Sequence, residues 1–569
     1  MRFEEKVKVT LLSIEKRFYI TFMSTIVCGL FAHLYQFTNK NFNYDELGQT
    51  PAGFGAGIAL GRWGLQLIGD IVGHFFRNYS LPMINGMVTL ILVAVSACII
   101  VKAFELRDLV VCGLIGAIIS VFPALVSTYF FMFTAPYYGF AMLLSCFAGL
   151  LITTGVKTNF CNVNECDVTL PDKNSNKKSA LLYIIGGFIC LTFAIGIYQS
   201  YSAVTLCVLL IDIVVGFYVG EEDWAKLLKR GIIYCLLFAI SIVVYILITK
   251  LSVIITGIQL DGYRGMNEMG SVNLGMLFFS VLKTYKDYIL TVTPKDIYQI
   301  NPVKFVMVLL LIINAVNGII VIERIAGKKN SQDEPFMVKV GFGVSIILLP
   351  LAFFFPEILL QGGGVYSIMT YSAVFIFIFP LIMYEKRFEY MGISGGMMSV
   401  EMTDTEVKRE KKIDKLKKDD VLGTVLCTAI AMNVLAYIWF ANGNYQALQY
   451  TSYHDLAYFQ TLATQIKSLD GYEPDMKVAL VGEQFDDPTF KAGGLMDNYF
   501  DIGGKSETNI NYFNNIYLWT SYLGYTPEII EFSQSRELRE LPEVKAMPCY
   551  PSSGSIAIVG DIVVVKASD

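Results

Sequence analysis

Residues 82–101, PMINGMVTLILVAVSACIIV, run for twenty positions without a charged side chain. A bilayer core about 30 Å thick is crossed by roughly 20 helical residues, because in hydrocarbon the backbone polar groups must be satisfied within the segment itself. The stretch therefore reads as a membrane-spanning helix. Comparable stretches lie near 18–38, 109–126, 138–155, 181–198, 203–220, 232–249, 303–322, 339–356, 365–384 and 421–441, so the sequence predicts eleven spans. Two segments are less decisive: 127–137 reads as a short outer loop and 272–292 as a helix lying in the interface. Composition agrees, since 54% hydrophobic, 14% aromatic and only 16% charged residues among 569 are too apolar for a water-soluble chain.

Orientation follows from the basic residues. With the N-terminus inside, the inner segments are 1–17, 102–108, 156–180, 221–231, 323–338 and 385–420, and they hold more than half of the 44 Lys and Arg residues. The outer loops before the last span hold eight: Lys40, Arg62, Arg77, Lys250, Arg264, Lys283, Lys286 and Lys295. The expectation is a multi-pass protein with its N-terminus in the cytoplasm and its C-terminus outside. The first span has no small-residue cleavage site and is expected to stay as an anchor.

This divides the chain into a transmembrane part, 1–442, with long outer loops at 39–80 and 250–302, and an outer soluble part, 443–569. The outer part carries 17 acidic and 8 basic residues, which argues against nucleic-acid binding and fits a solvated surface. Leu456, Phe459, Leu462, Ala463, Ile466 and Leu469 recur at helical spacing; Lys477 to Val481 reads as a buried strand, and Ile556–Val559 and Ile562–Val565 as two strands about the turn Gly560-Asp561. A small α+β domain is predicted.

Of eleven cysteines only Cys549 falls in the outer part, so that part cannot close a disulfide of its own. Cys161 and Cys166 lack a nearby histidine and read as a solvated loop. Gly53, Gly55 and Gly57 lack the strand-to-helix setting of a nucleotide fingerprint, which disfavours a cytoplasmic nucleotide as direct donor. No internal repeat suggests an inverted-repeat transporter.

The unusual polar residues gather outside. Asn43-Tyr44-Asp45-Glu46 follows the first span, and Gly61-Arg62-Trp63 comes shortly after it in a loop whose residues 56–76 can form an amphipathic interfacial helix. Moving a sugar from a lipid phosphate needs a carboxylate to take the proton of the attacking hydroxyl and a cation to hold the departing phosphate. Asp45 suits the first task, and the planar donor fork of Arg62 the second. The alternative is that Asp45 and Glu46 merely solvate a loop. Tyr198, Gln199 and Tyr201 end a hairpin where amides, phenols and rings suit a sugar, or where an aromatic belt anchors helices. Arg264, near Asp261 and Tyr263, is a second candidate for the phosphate; Lys283 and Lys286 would equally meet lipid headgroups. Gln361 to Gly364 and Tyr366 read as a plain outer turn.

Asp212 lies in mid-span, where an ionised carboxylate costs about 2.5–3.5 kcal/mol on insertion scales. By sequence position no basic residue shares its depth in the neighbouring spans, nor is His33 an evident partner, so a hydrogen bond between helices is expected. A proton path through Asp212 would instead support a transporter or flippase, the alternative to an enzyme. A scaffold presenting the acidic domain would leave the long loops unexplained.

Tyr44-Asp45-Glu46 with Gly61-Arg62-Trp63, Tyr198-Gln199-Ser200, Ala441-Asn442-Gly443-Asn444-Tyr445, and Met547-Pro548 to Tyr550-Pro551 stand in an order that resembles the Gtr-type, glucosyltransferase-II-like membrane glycosyltransferases of bacteria. The resemblance implies a C-type glycosyltransferase architecture in the cytoplasmic membrane. It implies a polyprenyl-phosphate sugar, usually undecaprenyl phosphate glucose, as donor, and an extracytoplasmic cell-envelope glycan such as O-antigen as acceptor. It places the protein downstream of a polyprenyl-phosphate glycosyltransferase and a flippase. It also makes the acidic residue of the first outer loop the base; Asp45 is favoured over Glu46, although relatives carry two aspartates there. Tyr44, Arg62, Trp63, Tyr198, Gln199 and Arg264 become candidates for binding sugar and lipid phosphate. A divalent metal is compatible with this chemistry and not required by it.

Overall fold

The computed structural model describes residues 14–43, 45–47, 57–77, 80–160, 173–220, 223–262, 274–292, 335–360, 365–394, 421–482 and 517–569. Among these, nine helices are long and apolar enough to cross a membrane: Lys16–Thr38, Pro82–Ala103, Leu109–Phe130, Ala135–Asn159, Lys178–Ile197, Gln199–Val219, Trp224–Thr256, Phe336–Phe353 and Gly423–Lys467. Each coincides with a predicted span, and the protein is a polytopic membrane protein. The predicted span 303–322 lies outside the described residues.

The helices are α1 Lys16–Thr38, α2 Trp63–Phe76, α3 Pro82–Ala103, α4 Leu109–Val121, α5 Pro123–Phe130, α6 Ala135–Phe160, α7 Lys173–Ile197, α8 Ser202–Val219, α9 Trp224–Thr256, α10 Leu274–Val292, α11 Pro335–Phe353, α12 Phe355–Leu359, α13 Phe375–Ser394 and α14 Val421–Lys467. α9 shows why they need lipid. Leu228, Ile232, Leu236, Ile240, Val243, Leu247, Leu251 and Ile254 are exposed at intervals of three or four residues, while Tyr234, Phe238, Ser241, Tyr245 and Thr249 are buried on the other face. So long an apolar stripe is unsustainable in water and ordinary against acyl chains.

Two expectations are corrected. The loop expected at 127–137 is mostly helix: Phe122 takes an extended backbone before Pro123, which opens α5, and only 131–134 turn the chain into α6. The segment 365–384 is not one apolar helix. Ser367–Met369 and Tyr371–Val374 are 3-10 turns ahead of α13. Its hydrophobicity reflects burial in protein, where Tyr371 Oη donates to Ile119 O at 2.7 Å and Ser372 Oγ to Phe353 O at 2.7 Å.

Loop contacts define two ends of the bundle. At one end Arg17 Nη1 donates to Leu106 O at 2.9 Å and Glu385 accepts from the backbone of Arg107 and Asp108. At the other, the turn after α1 meets Ser80 and Phe133, and Asp261 N donates to Ala59 O at 2.9 Å.

α14 is unbroken for 47 residues, about 70 Å at 1.5 Å per residue, more than twice a bilayer core. It runs through residues 442 and 443 without interruption and delivers the chain to a three-stranded sheet of β1 Lys477–Val481, β2 Ile556–Val559 and β3 Ile562–Lys566 in the order β1-β3-β2. β2 pairs with β3 as a hairpin, as the strand reading anticipated, and β1 adds to β3 in parallel, a pairing the sequence reading did not address. The crossover between β1 and β2 carries α15 Phe532–Arg539 and α16 Pro542–Ala546. The core beside this sheet holds Tyr458, Phe459, Leu462 and Trp519, together with Phe42 and Leu47 from the loop after α1.

Candidate active site

The turn after α1 is built by Asn43. Its Oδ1 accepts the backbone N–H groups of Asp45 and Glu46, each at 3.0 Å, which folds the two carboxylates into a tight corner. Phe42 and Leu47 on either side are 1% and 0% exposed, so the corner is pinned at both shoulders.

The two acids differ. Glu46 is fully buried and accepts Ser80 Oγ at 2.5 Å and the Phe133 N–H at 3.2 Å through Oε1. Burial raises its carboxyl above the usual range; Lys40, Ser80 and the Phe133 and Met132 N–H groups oppose that rise. Lys40 in turn donates to Ser80 O at 2.9 Å. Asp45 keeps an exposed face, yet protein crowds its other sides. Desolvation raises its carboxyl too, and the Arg62 charge pulls it back. Asp45 is thus the more open of the two carboxylates, and it feels the charge of Arg62, the cation the sequence paired with it. Tyr44 lies outside the described residues.

Arg62 is placed by close packing. A 3-10 turn, Ile58–Leu60, ends at Gly61 with φ 67, a left-handed conformation that a side chain disfavours, and the chain then enters α2 at Trp63. The helix expected over 56–76 therefore starts later, because Gly61 closes the 3-10 turn in a left-handed conformation that an α-helix cannot continue through. A Cβ on Gly64 would stand 2.9 Å from the backbone of Gly196, so α2 touches the end of α7 directly. Trp63 fills the adjoining space against Gly196 and Phe193, an anchoring position.

Arg62 Cζ lies 4.7 Å from the centroid of Tyr198, and its Nη1 donates to Tyr138 Oη at 3.3 Å. Tyr138 and Tyr198 have ring centroids 4.6 Å apart, with Tyr201 6.0 Å from Tyr198. Tyr198 is 3% exposed and covered by Arg62 and Tyr138, so its ring orients the cation. Gln199 Nε2 donates to Leu60 O and to Tyr245 Oη, both at 2.9 Å, tying the 58–60 turn to α9. The sequence offered both as sugar contacts; in the structure the Tyr198 ring lies against Arg62 and the Gln199 amide bonds the loop before it. Sequence reading passed over Tyr138, Ser80 and Lys40, which meet the site only through folding. Arg264 and Gln361 to Gly364 lie outside the described residues. No group of three His, Cys, Asp or Glu residues suited to a metal ion occurs among the described residues.

Asp212 requires a correction. It pairs with Arg230, with Lys157 Nζ at 2.5 Å, and accepts Tyr234 Oη at 2.9 Å. Basic residues do share its depth: Lys157 near the end of α6 and Arg230 near the start of α9 reach inward, and Asp212 is only seven residues from the end of α8. His33 is buried, between Tyr445 Oη and Ser120 O at 2.7 Å each. Lys283, offered as a lipid contact, pairs with Glu357 at 2.5 Å.

No curated protein and no solved structure matches the chain significantly. The family model described as glucosyl transferase GtrII matches residues 34–377, a stretch that holds Asp45, Glu46, Arg62, Tyr138 and Tyr198 and stops before α14. A match over more than half of the 569 residues, on a bundle of apolar helices with a carboxylate and a guanidinium at one end, settles the relationship: the chain belongs to the glucosyl transferase GtrII family and is a membrane glycosyltransferase.

Proposed function

We propose that the protein transfers a hexose, glucose by family, from a polyprenyl-phosphate donor to a hydroxyl of a cell-envelope glycan, at the outer face of the bacterial cytoplasmic membrane. The observation that carries this reading is the open Asp45 carboxylate within the field of Arg62, whose plane is set by Tyr198 and Tyr138. Asp45 takes the proton of the acceptor hydroxyl as its oxygen bonds to the anomeric carbon; the bond from that carbon to phosphate oxygen breaks, and the electron pair leaves with the phosphate beside Arg62. The displacement inverts the centre, so a β-linked lipid phosphate gives an α-glycoside without a covalent intermediate. The guanidinium pairs with the negative charge that develops on the departing phosphate, and a divalent metal is compatible without being required.

The scarcity of Lys and Arg in the loops at this end supports the outward orientation. The domain division at 442/443 is part of the same reading, with the α+β part outside. Against a transporter or flippase, the mid-span carboxylate Asp212 is engaged in a cluster with two cations.

The test is transfer of labelled glucose from undecaprenyl phosphate glucose to envelope glycan by purified protein, repeated with Asp45→Asn and Glu46→Gln. Loss with the first is expected, and a smaller fall with the second, which keeps an amide oxygen to accept from Ser80 and the Phe133 N–H. Equal transfer by Asp45→Asn would remove Asp45 as the base.

A further inference from the structure

The matched family region ends at residue 377, so it assigns nothing to the C-terminal segment, yet that segment reaches the acidic corner. Phe42 and Leu47, which bracket Asp45 and Glu46, belong to the hydrophobic core of the C-terminal segment. Phe42 lies 4.7 Å from Tyr522 between ring centroids, and the Tyr522 hydroxyl is close enough to feel the charge of Glu46. At this junction three buried polar atoms have no hydrogen-bond partner among the described residues: Asn43 Nδ2, Glu46 Oε2 and Tyr522 Oη. Leaving such atoms unpaired costs about 1–3 kcal/mol each, and native proteins avoid it unless a ligand or water completes the set.

Their chemistry is selective. One amide donor, one carboxyl oxygen and one hydroxyl able to donate or accept form a complementary set for a neutral alcohol. Position is compatible with this: Arg62 acts on Asp45, and Tyr522 lies near Glu46, the next residue along.

We propose that the junction of Asn43, Glu46 and Tyr522 is the acceptor subsite, at which the C-terminal segment helps hold a carbohydrate hydroxyl for Asp45. This rests on the reaction proposed above. The experiment is initial-rate kinetics of the full chain, varying undecaprenyl phosphate glucose and soluble envelope oligosaccharides of the host separately. Tyr522→Phe keeps the ring against Phe42 and removes the hydroxyl; Asn43→Asp keeps the Oδ1 turn and removes the amide donor. Each is expected to raise the oligosaccharide KM roughly 3- to 10-fold, the worth of one hydrogen bond, with donor KM held. Wild-type transfer with an unmoved oligosaccharide KM in both variants, or a shift confined to donor KM, overturns the subsite alone. No transfer by the wild type to any oligosaccharide or native envelope glycan overturns the parent reaction and the subsite with it.

Discussion

Arg62 lies over the ring of Tyr198, its guanidinium carbon 4.7 Å from the ring centre, and Tyr138 both stacks on that ring and accepts from the same guanidinium. Arg62 sits ahead of α2, Tyr138 is in α6 and Tyr198 follows α7, so three separate elements fix one cation. Such a contact contributes about 0.5–2 kcal/mol. Replacing Tyr198 by Leu should lower kcat/KM for the lipid donor by roughly 2- to 30-fold on that scale, while Tyr198→Phe, which keeps a ring, should stay near wild type. Initial rates at low donor concentration decide it; an inert Tyr198→Leu would leave the ring without this role.

The pH profile should carry the signature of the Asp45–Arg62 pair. Burial raises the Asp45 carboxyl and Arg62 lowers it again. A base must be deprotonated, so activity falls as pH drops through the Asp45 pKa. Removing the cation with Arg62→Gln lets that pKa climb, and the acid limb of kcat/KM should move to higher pH, beside a lower plateau. A limb that stays in place would show that another group controls it.

Close backbone contact at the α2–α7 crossing makes Gly64 intolerant of a side chain. Because its Cβ would meet the Gly196 backbone at 2.9 Å, Gly64→Ala should destabilise by about 1–3 kcal/mol, read as a lower Tm in detergent. Gly231→Ala in α9, where nothing lies within 4 Å of the new Cβ, should be neutral or stabilising by up to about 1 kcal/mol.

Charge inside the bundle should be structural at Asp212. Asp212→Ala removes the carboxylate paired with a buried Arg230 and should cost about 3–5 kcal/mol, seen as lost thermal stability and yield. The double change Asp212→Leu with Arg230→Met should recover most of that loss, and glucose transfer per folded molecule should stay unchanged in both. A double variant that is stable yet inactive would contradict a purely structural cluster.

The legibility of the site differed residue by residue. Asp45 and Arg62 could be read from the sequence because both are polar groups of the right chemistry in loops that flank apolar spans. Tyr138 and Ser80 could not, since a tyrosine at the start of one span and a serine before another are unremarkable until folding sets them beside Arg62 and Glu46. Asp212 misled for a related reason. Its partners Lys157 and Arg230 are 55 and 18 residues away, and their long side chains reach to its depth from neighbouring helix ends.

What the amino-acid order determined alone was the membrane class, the nine spans the structure shows and the three short strands, because hydrophobic length and periodicity are local properties that lipid or a sheet reads directly. The tertiary structure decided which of two adjacent acids stays open, what holds the arginine, and that the C-terminal segment shares a core with the first loop. Those depend on contacts between residues up to some 480 positions apart, such as Phe42 and Tyr522, whose energies exist only once the helices have packed.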